Sequence, residues 1–218
     1  MNAIQKKFPD AEVVYRFVNR GNTLFPPGFA EAVKKEVDAM ENLALSRENE
    51  RFLRGKCYYF DSVFFDLLKG FRFNPEEVKV SQQGGVLDVE IRGLWYRTVL
   101  WEVPLLAIIS ELYFRLTGQE ARGMEERAAM KARAFAELRA EISEFGTRRR
   151  FSFEVQDRVI GILKENMKEL LNGTSNVYFA MKYNLTPMGT HPHEWFMYHG
   201  AHFGYRSANA MALANWVD

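Results

Sequence analysis

A chain of 218 residues, 47% hydrophobic and 26% charged, has the make-up of one large folded domain or two modest ones, not of a disordered or fibrous segment. Its formal net charge of +1 excludes a global pull toward nucleic acid or an anionic membrane, although a local basic cluster could hold one anionic ligand. The single cysteine, Cys57, excludes an intrachain disulfide, and the apolar run 103–109, interrupted on its flanks by Glu102 and Glu111, is too short to cross a bilayer. With no basic-apolar leader in view, a cytoplasmic location is expected, without nucleic-acid or membrane partners.

In chain order, Ala11 to Val18 alternates, with Ala11, Val13, Tyr15 and Phe17 on one face, and predicts a strand closed by Asn19-Arg-Gly21. Phe29, Val33, Val37 and Met40 recur at helical spacing, so an amphipathic helix is expected over 28–43. Ser46 is a candidate cap for a short helix to Leu53, and a third helix is expected over 61–68. Val78 and Val80 lead into Gly84-Gly85, a hairpin signal, and Leu87, Val89 and Ile91 alternate on the return. The aromatic and β-branched stretch 94–103 predicts one more strand, making an antiparallel meander. Pro104 then suits the first turn of a helix through Leu116, and 124–139 predicts another after the break at Gly118 and Gly123. From Ile142 a new texture begins. A short strand, a Gly-bearing turn and a helix follow one another three times, with turns at Phe145-Gly146, Gly173-Thr174 and Gly189-Thr190, and the run 208–218 reads as a helix with no stop signal. The expected class is α/β: an N-terminal α/β domain (1–103), connecting helices (104–140), and the first βα units of an α/β barrel (141–218).

In parallel α/β layers ligands sit at the C-terminal ends of the strands, where these turns fall. The first carries Phe145, whose ring can stack on a flat ligand, and Arg148-Arg149-Arg150, forked donors for phosphate or carboxylate. Placed at a helix start, three arginines would oppose the macrodipole, which favours a ligand role over a stabilising one. The second, Gly173-Thr-Ser-Asn176, suits hydrogen bonds to ribose or phosphate, or equally a helix cap at Thr174 or Ser175. The third holds His191 and His193, and all four histidines lie between His191 and His202. An imidazole there can act as nucleophile, acid or base, and a phosphate on His193 would meet helix-end amides. A competing reading is metal ligation by His191, His193, His199 and His202, the last two at i,i+3 spacing. No cysteine pair or acid-rich motif supports it, so no metal site is assigned.

At these residues the chain resembles the nicotinate phosphoribosyltransferase family. The resemblance rests on Glu144-Phe-Gly-Thr-Arg-Arg-Arg-Phe-Ser152, Gly173-Thr-Ser-Asn176, Thr186-Pro-Met-Gly-Thr-His-Pro-His-Glu-Trp195, Leu100-Trp-Glu-Val-Pro-Leu-Leu-Ala-Ile-Ile-Ser-Glu-Leu112 and Phe71-Arg-Phe-Asn-Pro75, and it runs along essentially the whole chain. It implies a type II phosphoribosyltransferase fold, with an irregular α/β barrel and sites near the interface of a homodimer. It implies ATP-coupled condensation of nicotinate with phosphoribosyl pyrophosphate, with Mg2+, yielding nicotinate mononucleotide and pyrophosphate. In the Gly-Thr-x-x-His motif it implies transient phosphorylation of His193, the catalytic residue, with Thr190 near nicotinate. Phe145 and Arg148 match positions facing the pyridine ring and the phosphoribosyl group; Arg149, Ser175 and Asn176 complete the expected substrate contacts. Family members open with an Asp-x-Tyr-Lys segment that helps to enclose the ring, and Met1 falls just after it. Three βα units are fewer than a closed barrel needs. The chain is therefore expected to be the N-terminal portion of such an enzyme, inactive if it stands alone. The alternatives are another base such as nicotinamide, a histidine-cluster metal module, or a non-catalytic fragment.

Overall fold

The computed structural model describes residues 1–217. After α1 (Asn2–Lys7), the strands β1 (Glu12–Arg16), β2 (Val78–Gln83) and β3 (Val86–Leu94) form an antiparallel sheet in the order β1-β3-β2. The hairpin at Gly84-Gly85 aligns Gln83 with Val86 and Val78 with Ile91, and β1 adds on the far side of β3, Glu12 opposite Leu94 and Arg16 opposite Glu90. Alternation puts Leu87, Val89 and Ile91 on the covered face. There they meet Phe29, Val33 and Val37 of α2 (Phe29–Ala39), and Leu105, Ile109 and Leu112 of α6 (Glu102–Leu116). Between α2 and β2 in the chain come α3 (Arg47–Lys56) and α4 (Ser62–Gly70), capped by the Ser46 hydroxyl and the Asp61 carboxylate. Leu53, Cys57 and Phe65 form a small core of their own.

The residues expected to form a strand over 94–103 are instead α5 (Trp95–Thr98), a 3-10 turn and the first turn of α6. The reason lies in the spacing of the buried side chains. Trp95, Thr98 and Trp101 recur every third residue and are all buried, a helical period that outweighs the strand propensity of aromatic and β-branched residues. The Thr98 hydroxyl donates to the Leu94 carbonyl at 3.1 Å, and the Trp101 indole donates to Glu77 at 2.9 Å. The third strand of the sheet is therefore β1, not the segment after β3.

The second half is built around a short parallel sheet, β4 (Ile142–Glu144), β5 (Leu171–Thr174) and β6 (Thr186–Pro187), in the order β4-β5-β6. The helices α7 (Met124–Glu137), α8 (Phe153–Met167) and α9 (Val177–Lys182) cover it, with Ala132, Ile160, Leu163, Leu171 and Phe179 in the core. Two helices close the described chain, α10 (His193–Phe203) and α11 (Ala208–Val217). They pack with α1 and α5 around Trp95 and Trp195, tying the two halves together. No helix among the described residues is long and apolar enough to cross a membrane.

Candidate active site at the parallel-strand edge

Because β4, β5 and β6 run parallel, the turns that follow them leave the sheet at the same end. The approach is close. A Cβ on Gly173 would sit 2.2 Å from the Thr186 carbonyl oxygen and 2.4 Å from Met188 Cγ, so only glycine lets β6 lie against β5 here. The ladder continues past the strands: Ser175 N–H donates to the Glu144 carbonyl at 2.8 Å, and Met188 N–H to the Thr174 carbonyl at 2.9 Å.

A polar network locks the first two turns to one another. The Glu144 carboxylate accepts from the Gly146 amide at 2.6 Å, the Thr174 hydroxyl at 2.6 Å and the Gln156 side-chain amide at 3.1 Å. Gly146 permits this, since a Cβ there would meet Glu144 Oε1 at 2.5 Å. Thr147 Oγ1 accepts from Gln156 at 2.8 Å and from Asn176 Nδ2 at 3.1 Å. Thr147, Gln156 and Thr174 are buried, so the low dielectric strengthens each bond.

Around this lock the expected ligand-binding side chains stand outward. Phe145, Arg148, Arg149, Ser175, Thr190 and His193 are exposed and Asn176 is half-buried, so all lie at or near the surface, on the turns that share one sheet end or beside them. Two local expectations are corrected. The arginines do not open a helix: Thr147–Arg149 is a single 3-10 turn, and α8 starts later, capped by the Ser152 hydroxyl accepting from Val155 N–H at 3.1 Å. The macrodipole argument therefore does not apply to them. The cap of α9 is Asn176, which accepts from Phe179 N–H at 3.2 Å, and not Thr174 or Ser175. The three arginines also separate by role. Arg150 lies half-buried against Glu111, which accepts at 3.1 Å and also takes the Phe153 amide at 3.1 Å. Arg148 pairs with Glu102 at the surface, and Arg149 has no ion-pair partner among the described residues.

The histidines do not gather. His199 is buried and satisfied on both nitrogens, Nδ1 donating to the Trp195 carbonyl at 2.7 Å and Nε2 accepting from Asn215 at 2.9 Å. His202 stacks on Tyr198, and His191 meets Trp216 edge-on at 4.6 Å. No group of three His, Cys, Asp or Glu placed to hold a metal ion occurs among the described residues, which removes the geometric basis for the histidine-cluster metal module. His193 is left as the first residue of α10, after Pro192, at a helix end where no side chain caps the amides.

Residues 1–110 match the family model described as the nicotinate phosphoribosyltransferase N-terminal domain, and residues 140–218 match that of the nicotinate phosphoribosyltransferase family. The chain belongs to the nicotinate phosphoribosyltransferase family. It is 48% identical to the nicotinate phosphoribosyltransferase of Chromohalobacter salexigens, over 100% of this chain and 56% of the relative. With that of Methanosarcina mazei it shares 41% identity over 99% of this chain and 58% of the relative. The crystal structure of the Porphyromonas gingivalis nicotinate phosphoribosyltransferase superposes with a TM-score of 0.95 at 47% identity, covering 99% of this chain and 56% of that one. The Vibrio cholerae enzyme gives 0.89 at 32% identity, with 99% and 53% covered. The chain thus spans little more than half the length of these relatives, and the α/β class expected from the sequence holds.

The hydrogen-bond network adds supporting residues to which the sequence assigned no role in the site. Glu144, Thr147, Gln156 and Thr174 hold the turns that present the outward residues. A strand ending in an acid, followed by glycine and threonine, carries the signal in Glu144-Phe-Gly-Thr147, but Gln156 sits unmarked within a helix. A groove of about 720 Å³ runs along α7 and α8, lined by ionic side chains such as Glu125 and Arg158 that pair with each other, away from these turns.

Proposed function

We propose that this chain supplies the first half of the active site of a nicotinate phosphoribosyltransferase. The reaction is ATP-coupled condensation of nicotinate with phosphoribosyl pyrophosphate, giving nicotinate mononucleotide and pyrophosphate for NAD biosynthesis. The observation that carries the reading is the third turn: the Gly-Thr-x-x-His motif presents His193, exposed, at the uncapped start of α10.

The pyridine nitrogen attacks the anomeric carbon as pyrophosphate leaves, so positive charge builds on the ribose and negative charge on the leaving group. Arg148 and Arg149 are the cations that offset the negative side and hold the phosphoribosyl group or the nicotinate carboxylate. Phe145 offers its half-exposed ring to the pyridine, while Thr190, Ser175 and Asn176 supply hydroxyl and amide contacts. His193 takes a phosphoryl group from ATP, and the free amides of the first turn of α10 and its positive dipole end favour the added charge. Magnesium bound with the substrates would supply charge neutralisation for the leaving pyrophosphate. Exposed apolar side chains on α10 and α11, among them Met197, Leu213 and Trp216, suit cover by the remainder of such an enzyme or by a second subunit in a homodimer. The lone, buried thiol of Cys57 suits the cytoplasm.

The test is to incubate the complete enzyme with γ-labelled ATP and map the acid-labile, base-stable label. Label is expected in wild type and in His191→Asn, and is expected to vanish in His193→Asn. Label that persists in His193→Asn would overturn the assignment. Comparing kcat/KM for nicotinate and nicotinamide settles the base.

A further inference from the structure

Three arginines of the second half meet carboxylates, and they do so in two ways. Arg158 closes its side-on fork on Glu125, Nε and Nη2 each donating at 2.9 Å. Arg150 likewise turns Nε and Nη2 to one Glu111 oxygen, both at 3.1 Å. Arg148 is held differently. Only its Nη1 donates to Glu102, the first residue of α6, and Nε and Nη2 make no hydrogen bond among the described residues. The edge left open on this half-exposed side chain is the one that takes a phosphate or carboxylate in bidentate fashion. Both ends of the pair stand on fixed backbone. Glu102 follows the fully buried Trp101, whose indole donates to Glu77 at 2.9 Å. Further along α6, Ser110 Oγ donates to the Arg150 carbonyl at 2.8 Å, Glu111 accepts the Phe153 amide at 3.1 Å, and Phe114 stacks on Phe151 with ring centroids 4.4 Å apart. One helix of the first half thus grips the arginine-bearing segment along its length. An acid at a helix start complements the dipole wherever its side chain points, and a partly exposed pair adds little to stability. What the pairing does change is the freedom of the Arg148 side chain.

We propose that Glu102 is a positioning residue that fixes Arg148 through Nη1 and leaves the Nε–Nη2 edge presented to an anionic group of the substrate. The proposal rests on the reading that Arg148 binds substrate. An unpaired arginine carries a long, rotamer-rich stem that must be frozen when the anion binds, and one that is already held loses less. The negative charge of Glu102 acts against the same anion, but both side chains are partly exposed, where solvent and salt cut Coulomb energies. The two effects have opposite signs once Glu102 is removed: lost aim raises KM, and lost repulsion lowers it. The exposure of the pair decides for the first.

In the complete enzyme, KM and kcat for phosphoribosyl pyrophosphate and for nicotinate are measured in Glu102→Ala, Glu102→Gln, Arg148→Ala and the double variant Glu102→Ala/Arg148→Ala. Glu102→Ala is expected to raise KM roughly two- to tenfold for the substrate that Arg148→Ala weakens, the cost of freezing one long side chain, with kcat changed less. Glu102→Gln keeps a neutral acceptor for Nη1 and is expected to fall between wild type and Glu102→Ala. In the Arg148→Ala background, Glu102→Ala is expected to change nothing further. A structural role would instead carry its effect into that background and into the melting temperature. A KM at or below wild type in Glu102→Ala, or an additive effect in the double variant, overturns the positioning role alone. Wild-type kinetics in Arg148→Ala overturn substrate binding by Arg148, and the positioning role with it. If Glu102→Ala does not fold, the same cycle with Glu102→Gln decides by the same criteria.

Discussion

Glu144→Gln changes one oxygen to nitrogen in the network that joins the first two turns, and its cost follows from the donors around it. One carboxylate oxygen faces the Gly146 amide and the Gln156 side-chain amide, both donors; the other faces the Thr174 hydroxyl. Turned toward Gly146 and Gln156, the new NH2 would meet two donors. Turned toward Thr174, it forces the hydroxyl to accept, although that hydroxyl already accepts from Asn176 N–H at 3.1 Å, and its proton is stranded where Thr174 is fully buried. The second arrangement is the cheaper. It weakens two charge-assisted bonds to neutral ones and orphans one buried donor, in total about 2–4 kcal/mol. For a chain of this size that lowers Tm by roughly 4–16 °C. Thermal and urea unfolding of wild type, Glu144→Gln and the control Glu141→Gln read this directly. Glu141 accepts only from Asn172, in an exposed pair, so the control is expected to stay within about 0.5 kcal/mol. Equal Tm values for Glu144→Gln and wild type, at unchanged m-value, would refute the claim that this network locks the turns.

Three further outcomes are expected. Gly173→Ala places a Cβ against the Thr186 carbonyl, where backbone must move; it is expected to cost about 1–3 kcal/mol or more and to displace the third turn, checked by unfolding and by KM in the complete enzyme. Arg150→Ala leaves Glu111 half-buried without its partner and is expected to lower stability by about 1–3 kcal/mol, whereas Arg148→Ala, at an exposed pair, is expected to change stability by less than about 1 kcal/mol yet to reduce turnover or apparent substrate affinity by orders of magnitude. Glu194 has a folded pKa above its unfolded one, so its contribution to stability is full below the unfolded value and declines as pH rises through the folded value; Glu194→Gln is expected to remove that decline, seen as a Tm advantage over wild type at pH 7 that disappears near pH 4.

Much of the fold was legible because the sequence carries strong local signals. Ser46 and Asp61 cap the helices they were placed beside, and Gly84-Gly85 turns the hairpin where two alternating runs meet. The stretch 94–103 misled because residue type and residue spacing disagreed there: the types favour a strand, while burial at Trp95, Thr98 and Trp101 follows a helix, and tertiary packing decides between them. The outward residues of the site were legible for a related reason, since they sit on turns that glycine marks. What supports them was not. Gln156 lies in the first turn of α8, and Glu102 and Tyr15 are distant in sequence from Arg148 and Glu194, so they meet only once the turn bearing Arg148 has docked on α6 and α10 on β1. A hydrogen-bond donor within a helix has no periodic signature, and a charge pair across 46 residues has none either. Sequence therefore locates the outward groups on these turns, because backbone geometry demands glycine beside them, and is silent on the groups that hold the turns, because a Gln or Glu in a helix carries no mark of the partner it will meet. Glu194 shows the same asymmetry. Beside the motif histidine it reads as an ordinary first-turn acid that complements the helix dipole, yet its side chain turns from the solvent toward Tyr15, where dipole stabilisation alone gives no reason to bury it.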